Sequence, residues 1–157
     1  MKAIASLFLA VTLLSAASLA RAADPILGTW TLDTGKSKYT SQPAPKSETR
    51  TYSQSDDGTI SLTAQTVEAD GHETNEASSF RLDGKDYPYK NGNIDADSVS
   101  EKRINSHVTA WSLKKDGKVV ETGRRAVSKD GKTLTMTEKG TDAHGAKFTD
   151  VAVYEKE

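Results

Sequence analysis

Asp-Gly pairs punctuate this chain at near-regular intervals: Asp57-Gly58, Asp70-Gly71, Asp83-Gly84, Asp116-Gly117 and Asp130-Gly131. Asn91-Gly92 and His144-Gly145 extend the series, and Asn105-Ser106 fills its one long gap. Successive second residues are 13, 13, 8, 14, 11, 14 and 14 positions apart. Glycine takes positive φ without a Cβ clash, and Asp or Asn tolerates the adjoining turn position, so each pair favours a tight reversal. About eight to eleven residues then remain for each strand, the pattern of an antiparallel meander.

The first residues read as a targeting segment. Lys2 precedes an apolar run over Ala3–Leu14, and Ala20-Arg21-Ala22 is a small-x-small cleavage site. This is the pattern of a secretory signal peptide, residues 1–22, cut between Ala22 and Ala23. The run is shorter than the ~20 residues that a membrane span needs. A periplasmic or secreted destination is expected, with the folded domain over residues 23–157. No cysteine occurs, which removes thiol catalysis, Cys-based zinc sites and iron–sulfur clusters. Without Lys2 and Arg21 the chain carries 19 basic and 22 acidic residues, too balanced for a dedicated nucleic-acid binder. Leu, Ile, Val and Phe number only 20 of residues 23–157, so any core must be lean.

The candidate strands are Pro25–Asp33, Glu48–Ser55, Thr59–Glu68, Glu73–Leu82, Ser98–Ile104, His107–Lys114, Lys118–Ser128, Lys132–Lys139 and Ala146–Glu155. Lys85–Tyr89 is a candidate short extra strand, interrupted by Pro88. Thr34–Lys46 holds Pro43 and Pro45 and reads as a crossing loop with one short helical turn near Lys36–Tyr39. So many consecutive hairpin-linked strands cannot stay a flat open sheet. The expected fold is all-β: a single up-and-down antiparallel β-barrel of about 8–10 strands, with a two-sheet sandwich as the competing arrangement.

Gly28-Thr29-Trp30, a Gly-x-Trp on the first strand, resembles the opening motif of the lipocalins. Extended to Leu32, it also resembles the start of cytoplasmic fatty-acid-binding proteins, whose last strand tends to end like Tyr154-Glu155-Lys156. The segments from Ser37-Lys38-Tyr39 through Pro45-Lys46-Ser47-Glu48-Thr49, then Asp83-Gly84-Lys85-x-Tyr87-Pro88 and Asp130–Thr135, resemble exported, calycin-type bacterial lipocalin-like proteins. The resemblance implies a barrel that holds a small hydrophobic or amphipathic molecule. Two departures stand out. Where intracellular fatty-acid carriers place a carboxylate-gripping Arg, this chain has Ala152, and Thr34–Lys46 is too short for their helical lid.

Candidate chemistry sits on few residues. Trp30 reads as a plug closing one barrel end, with Gly28 allowing close backbone approach. Trp111, in mid-strand, is the better cavity residue. Its neighbours depend on the turn at Lys115-Asp116-Gly117-Lys118. A three-residue loop pairs Leu113 with Val119 and Trp111 with Glu121, whereas a two-residue turn pairs Trp111 with Thr122 and reverses the Glu121/Arg125 face. Both are open to this sequence; the three-residue form is preferred because it gathers Trp111, Leu113, Val119 and Val127 on one apolar face. Glu121 and Arg125 then point inward as well, either to contact a ligand or to satisfy one another.

The expected ligand-binding residues are Trp111, Glu121, Arg125 and Tyr154. No cofactor or metal is expected. Asn91-x-Asn93-x-Asp95-x-Asp97 departs from a calcium loop at Ala96 and Lys102, and His72, His107 and His144 are scattered. Neither a nucleophile elbow nor a phosphate loop occurs, so a binding protein is expected rather than an enzyme. The alternative is an envelope protein-interaction or inhibitor module whose barrel is filled by its own side chains.

Overall fold

The computed structural model describes residues 23–91, 94–141 and 144–157; residues 1–22, where a signal peptide is expected, lie outside them, as does Gly92 of the pair Asn91-Gly92. Ten strands follow in order: β1 Gly28–Leu32, β2 Ser47–Gln54, β3 Ile60–Val67, β4 Glu73–Phe80, β5 Asp83–Asn91, β6 Ser98–Asn105, β7 Val108–Lys115, β8 Lys118–Val127, β9 Thr133–Thr141 and β10 Lys147–Lys156. Each pairs antiparallel with its sequence neighbour, and β1 also pairs with β10. The sheet closes into an up-and-down barrel.

The turn chemistry explains most reversals. In the loops 55–59, 68–72 and 128–132 the glycine has φ of 85°, 97° and 72°. Its N–H donates three residues back, to Ser55 O (2.9 Å), Glu68 O (2.9 Å) and Ser128 O (3.0 Å). The preceding aspartate accepts the N–H of the residue after the glycine, at 3.0, 3.0 and 3.1 Å. These are side-chain-stabilised loops, each built from the same local code. At Asp83-Gly84 the same code recurs: Gly84 has φ 78°, Asp83 accepts the Lys85 N–H at 3.0 Å, and the β4–β5 register is centred on the pair, while the register of β5 against β6 shifts between Asp83 and Asp86.

Asp116-Gly117 is a two-residue reversal, with φ of 49° and 74° and Lys115 opposite Lys118. The preferred three-residue loop is therefore corrected. A bulge then shifts the register, so Lys114 pairs with Val119 but Leu113 with Glu121 and Trp111 with Gly123. The extra residue restores the parity that a two-residue turn reverses. Glu121, Gly123, Arg125 and Val127 face inward beside Trp111 and Leu113, while Val119 is 56% exposed.

Two smaller expectations also change. Pro88 does not interrupt β5, which runs through it. Tyr89 N donates to Asp97 O on the β6 side, so the donor Pro88 lacks faces β4, whose ladder with β5 covers only Glu76–Ser78. The crossing loop contains a turn at Thr34–Lys36 and a bridge between Lys38 and Val151, with no helix.

Inward positions grade along the barrel axis. At one end Ile26, Trp30, Tyr52, Ile60, Phe80, Val127 and Leu134 form a closed apolar plug. Trp30 is fully buried, its indole N–H donating to Ile26 O at 2.7 Å, and Lys156 Nζ lies 4.9 Å from its ring centre. Towards the other end the same strand faces become polar: Tyr52, Arg50 and Glu48 on β2; Phe80, Ser78 and Glu76 on β4; Leu134, Met136 and Glu138 on β9.

Candidate functional site

Beyond the plug the barrel encloses a cavity of about 670 Å³. Its rim carries Gln42, Pro43 and Pro45 of the crossing loop, Ala69, Asp70 and His72 of the β3–β4 loop, and Ile94. The crossing loop is fastened along β10. Asp150 accepts the Thr40 N–H (2.6 Å), the Thr40 hydroxyl (2.9 Å), the Ser41 N–H (3.2 Å) and the Ser41 hydroxyl. These donors hold its carboxyl below the usual range despite the burial that acts to raise it. Ser37 Oγ accepts Val153 N–H at 2.9 Å, and Lys38 and Val151 exchange backbone hydrogen bonds at 2.7 and 2.8 Å.

The four residues expected from sequence, Trp111, Glu121, Arg125 and Tyr154, all stand in the wall of this one cavity. Trp30 does not. Arg125 is 5% exposed and bonds through Nη1 to Glu101, which is fully buried. Its guanidinium carbon lies 5.6, 5.8 and 5.7 Å from the ring centres of Tyr52, Phe80 and Trp111. A planar, weakly hydrated cation suits such an aromatic box. Arg125 is thus committed to the protein, and its partner is Glu101 rather than Glu121.

Sequence reading missed the second cation and three further acids. Arg50 Nη2 donates to Glu76 at 2.8 Å, its Nη1 lies 3.3 Å from Glu48, and Nη1 also meets Met136 Sδ at 3.4 Å. The Tyr154 hydroxyl neighbours the Glu48 carboxyl. Glu138 projects from β9. The signal was present as phase: each of these polar residues sits two or four positions from a buried apolar residue on its own strand.

The inward charges do not balance. Arg50 serves Glu48 and Glu76, and Arg125 serves Glu101. Neither Glu121 nor Glu138 makes a salt bridge among the described residues, and Arg50 and Arg125 act on Glu138 only at longer range. Burial, then Glu138, Asp150 and Glu76, push the Glu121 carboxyl up to about 8. Burial also lifts Glu138 to about 7, opposed by Arg50 and reinforced by Glu48. Desolvation and like charge both favour the protonated form. Buried polar atoms are also left over: Trp111 Nε1, Tyr52 Oη, Glu101 Oε1 and Arg125 Nε have no partner among the described residues.

The interior is therefore not filled by its own side chains, against the self-filled alternative. The acids of the 91–97 connection serve the neighbouring turn, with Asp95 2.7 Å from Lys115 Nζ and Asp97 accepting Asp116 N–H at 2.7 Å. Asn93 lies outside the described residues. No helix among the described residues is long and apolar enough to cross a membrane.

The sequence matches no protein-family model and no curated protein. The architecture does match solved structures. The fluorescent protein UnaG aligns over 83% of this chain and 96% of its own, with a TM-score of 0.56 and 17% identity. As-p18, an extracellular fatty acid binding protein, aligns over 85% and 97% with a TM-score of 0.53 and 12% identity. Zebrafish ileal bile acid-binding protein, complexed with cholic acid, aligns over 85% and 99% with a TM-score of 0.51 and 12% identity.

The fold is a calycin-like barrel of the fatty-acid-binding-protein type. At these identities the likeness shows the fold alone. The chemistry must be read from this chain's own side chains.

Proposed function

We propose that this chain is an exported binding protein, lipocalin-like in type, that holds a small hydrophobic or amphipathic molecule inside its barrel and does not act as an enzyme. Cleavage after Ala22 releases it into the periplasm or the extracellular fluid. One observation carries the reading: a cavity of about 670 Å³ remains inside a closed barrel. Small-molecule sites typically occupy roughly 300–1,000 Å³, with an apolar lining and a few convergent polar groups. Val99, Trp111, Leu113, Met136 and Ala152 supply the apolar wall here, and the glutamates and Tyr154 the polar groups. Two similar barrels are named for fatty-acid and bile-acid binding, which fits the same class of occupant. In this reading Trp111 and Tyr154 contact the ligand, Glu121 meets it near the mouth, and Arg125 positions the aromatic wall.

The test uses the full chain expressed with export, so that the mass of the exported protein reports cleavage at Ala22. Native mass spectrometry of the purified protein is expected to show a co-purifying molecule. Tryptophan emission is expected to respond to neutral lipophilic probes in wild type and Trp30→Phe, and to lose that response in Trp111→Phe. A ligand-free protein whose emission ignores every probe overturns the proposal.

A further inference from the structure

Arg125 stands between two cavities. On one side it lines the large cavity, where Nη1 meets Glu101. On the other it lines a second cavity of about 10 Å³ at the closed end of the barrel. The walls of this small cavity follow from the strand register. Thr109 on β7 lies directly opposite Arg125 on β8, and the Val127 N–H donates to His107 O at 2.9 Å, which carries the same ladder two residues further. Alternation along each strand then puts His107, Thr109, Arg125 and Val127 side by side on one inward face. The segment Asp24–Ile26 covers them. It is tied down by Asp24, which bonds to Arg103 and accepts the Ile26 N–H at 3.2 Å, and by Ile26 O, which accepts the Trp30 indole N–H at 2.7 Å.

Three of these wall residues carry a polar atom without a partner. Arg125 Nε, Thr109 Oγ1 and His107 Nδ1 are all buried, and none makes a hydrogen bond among the described residues. Arg125 and Thr109 are only 5% and 4% exposed, so bulk solvent does not serve them. Buried polar atoms are normally paired, and three orphans around one small cavity share one remedy.

We infer that one water molecule is bound in this cavity, accepting the Arg125 Nε–H and bridging it to Thr109 Oγ1 and His107 Nδ1. The size fits, because roughly 10–15 Å³ is the least that holds a water, and two to four polar partners are what retain it. The chemistry fits as well. Water brings two lone pairs and two protons, so after accepting from Arg125 it serves a hydroxyl and either tautomer of the imidazole. A metal cation is opposed by the guanidinium groups of Arg125 and Arg103 in the same wall. A chloride ion is larger than a water and would meet the Asp24 carboxylate. With Nη1 on Glu101 and Nε on the water, the guanidinium is held from both sides, whatever the larger cavity contains.

The experiment is a crystal structure of the purified protein, refined with its ordered solvent, with and without a bromide soak. One solvent peak is expected about 2.7–3.2 Å from each of Arg125 Nε, Thr109 Oγ1 and His107 Nδ1, with no anomalous bromide signal. His107→Phe/Thr109→Val removes two of the three partners, and the peak is expected to vanish. A wild-type cavity without a peak overturns the inference, as does one whose three polar atoms bond to other protein groups. A bromide signal overturns it too, by assigning the site to an anion. So does a peak that survives the double substitution, since other groups then hold the solvent. If the double variant does not fold, Thr109→Val alone keeps the outline of the side chain: the peak is expected to weaken, and an undiminished one overturns the bridge to Thr109.

Discussion

Glu138→Gln tests the charge imbalance without reference to any ligand. In the empty barrel burial raises this carboxyl from 4.5 to about 7. Between those values the native state binds more protons than the unfolded chain, so stability falls as pH rises through the window. At about 1.4 kcal/mol per tenfold change in proton affinity, the cost of ionising Glu138 in place reaches roughly 3 kcal/mol above pH 7. Water at the cavity mouth screens part of it, leaving about 1–3 kcal/mol. Glutamine keeps the shape and never ionises. The variant is therefore expected to be more stable than wild type by that amount at about pH 8.5, and by nothing measurable at about pH 4.5. Urea unfolding followed by far-UV circular dichroism at the two pH values reads the difference directly. An equal effect at both, or a loss of stability at the higher pH, means that Glu138 is comfortably ionised and refutes the argument. Glu121→Gln is expected to behave alike over a window reaching about 8. Because Glu138 raises Glu121, the two gains will add incompletely.

Three further substitutions probe the scaffold. Gly123→Ala puts a methyl group 2.3 Å from the Trp111 ring, so a loss of about 1–3 kcal/mol and a shifted tryptophan emission are expected; an unchanged spectrum contradicts the packing. Arg125→Met strands Glu101 in the core and is expected to cost about 3–5 kcal/mol, while Glu101→Gln/Arg125→Met recovers most of it; a double variant no better than the single one speaks against that pairing. Asp150→Ala removes the acceptor that holds Thr40 and Ser41, so limited proteolysis is expected to cut near Gln42–Ala44 faster than in wild type, and equal rates show that the loop is anchored elsewhere.

The Asp-Gly spacing, the Gly-Thr-Trp opening and the two-proline loop were enough to anticipate an up-and-down barrel, because turn chemistry and period-2 alternation are local properties of the chain. They also located Trp111, Glu121, Arg125 and Tyr154 on one interior, though with the wrong register at Lys115–Lys118. Only the folded sheet decided that register. Val120 is accommodated as an extra residue by the fit of β8 to its neighbours, and no local rule announces it. Pairing inside the barrel is likewise a tertiary matter. Arg50 on β2 finds Glu76 on β4, and Arg125 on β8 finds Glu101 on β6, each across an intervening strand. That matching consumes both cations and strands Glu121 and Glu138. An empty interior is also invisible to composition, since the volume left over depends on strand number and closure rather than on how many apolar residues the chain contains.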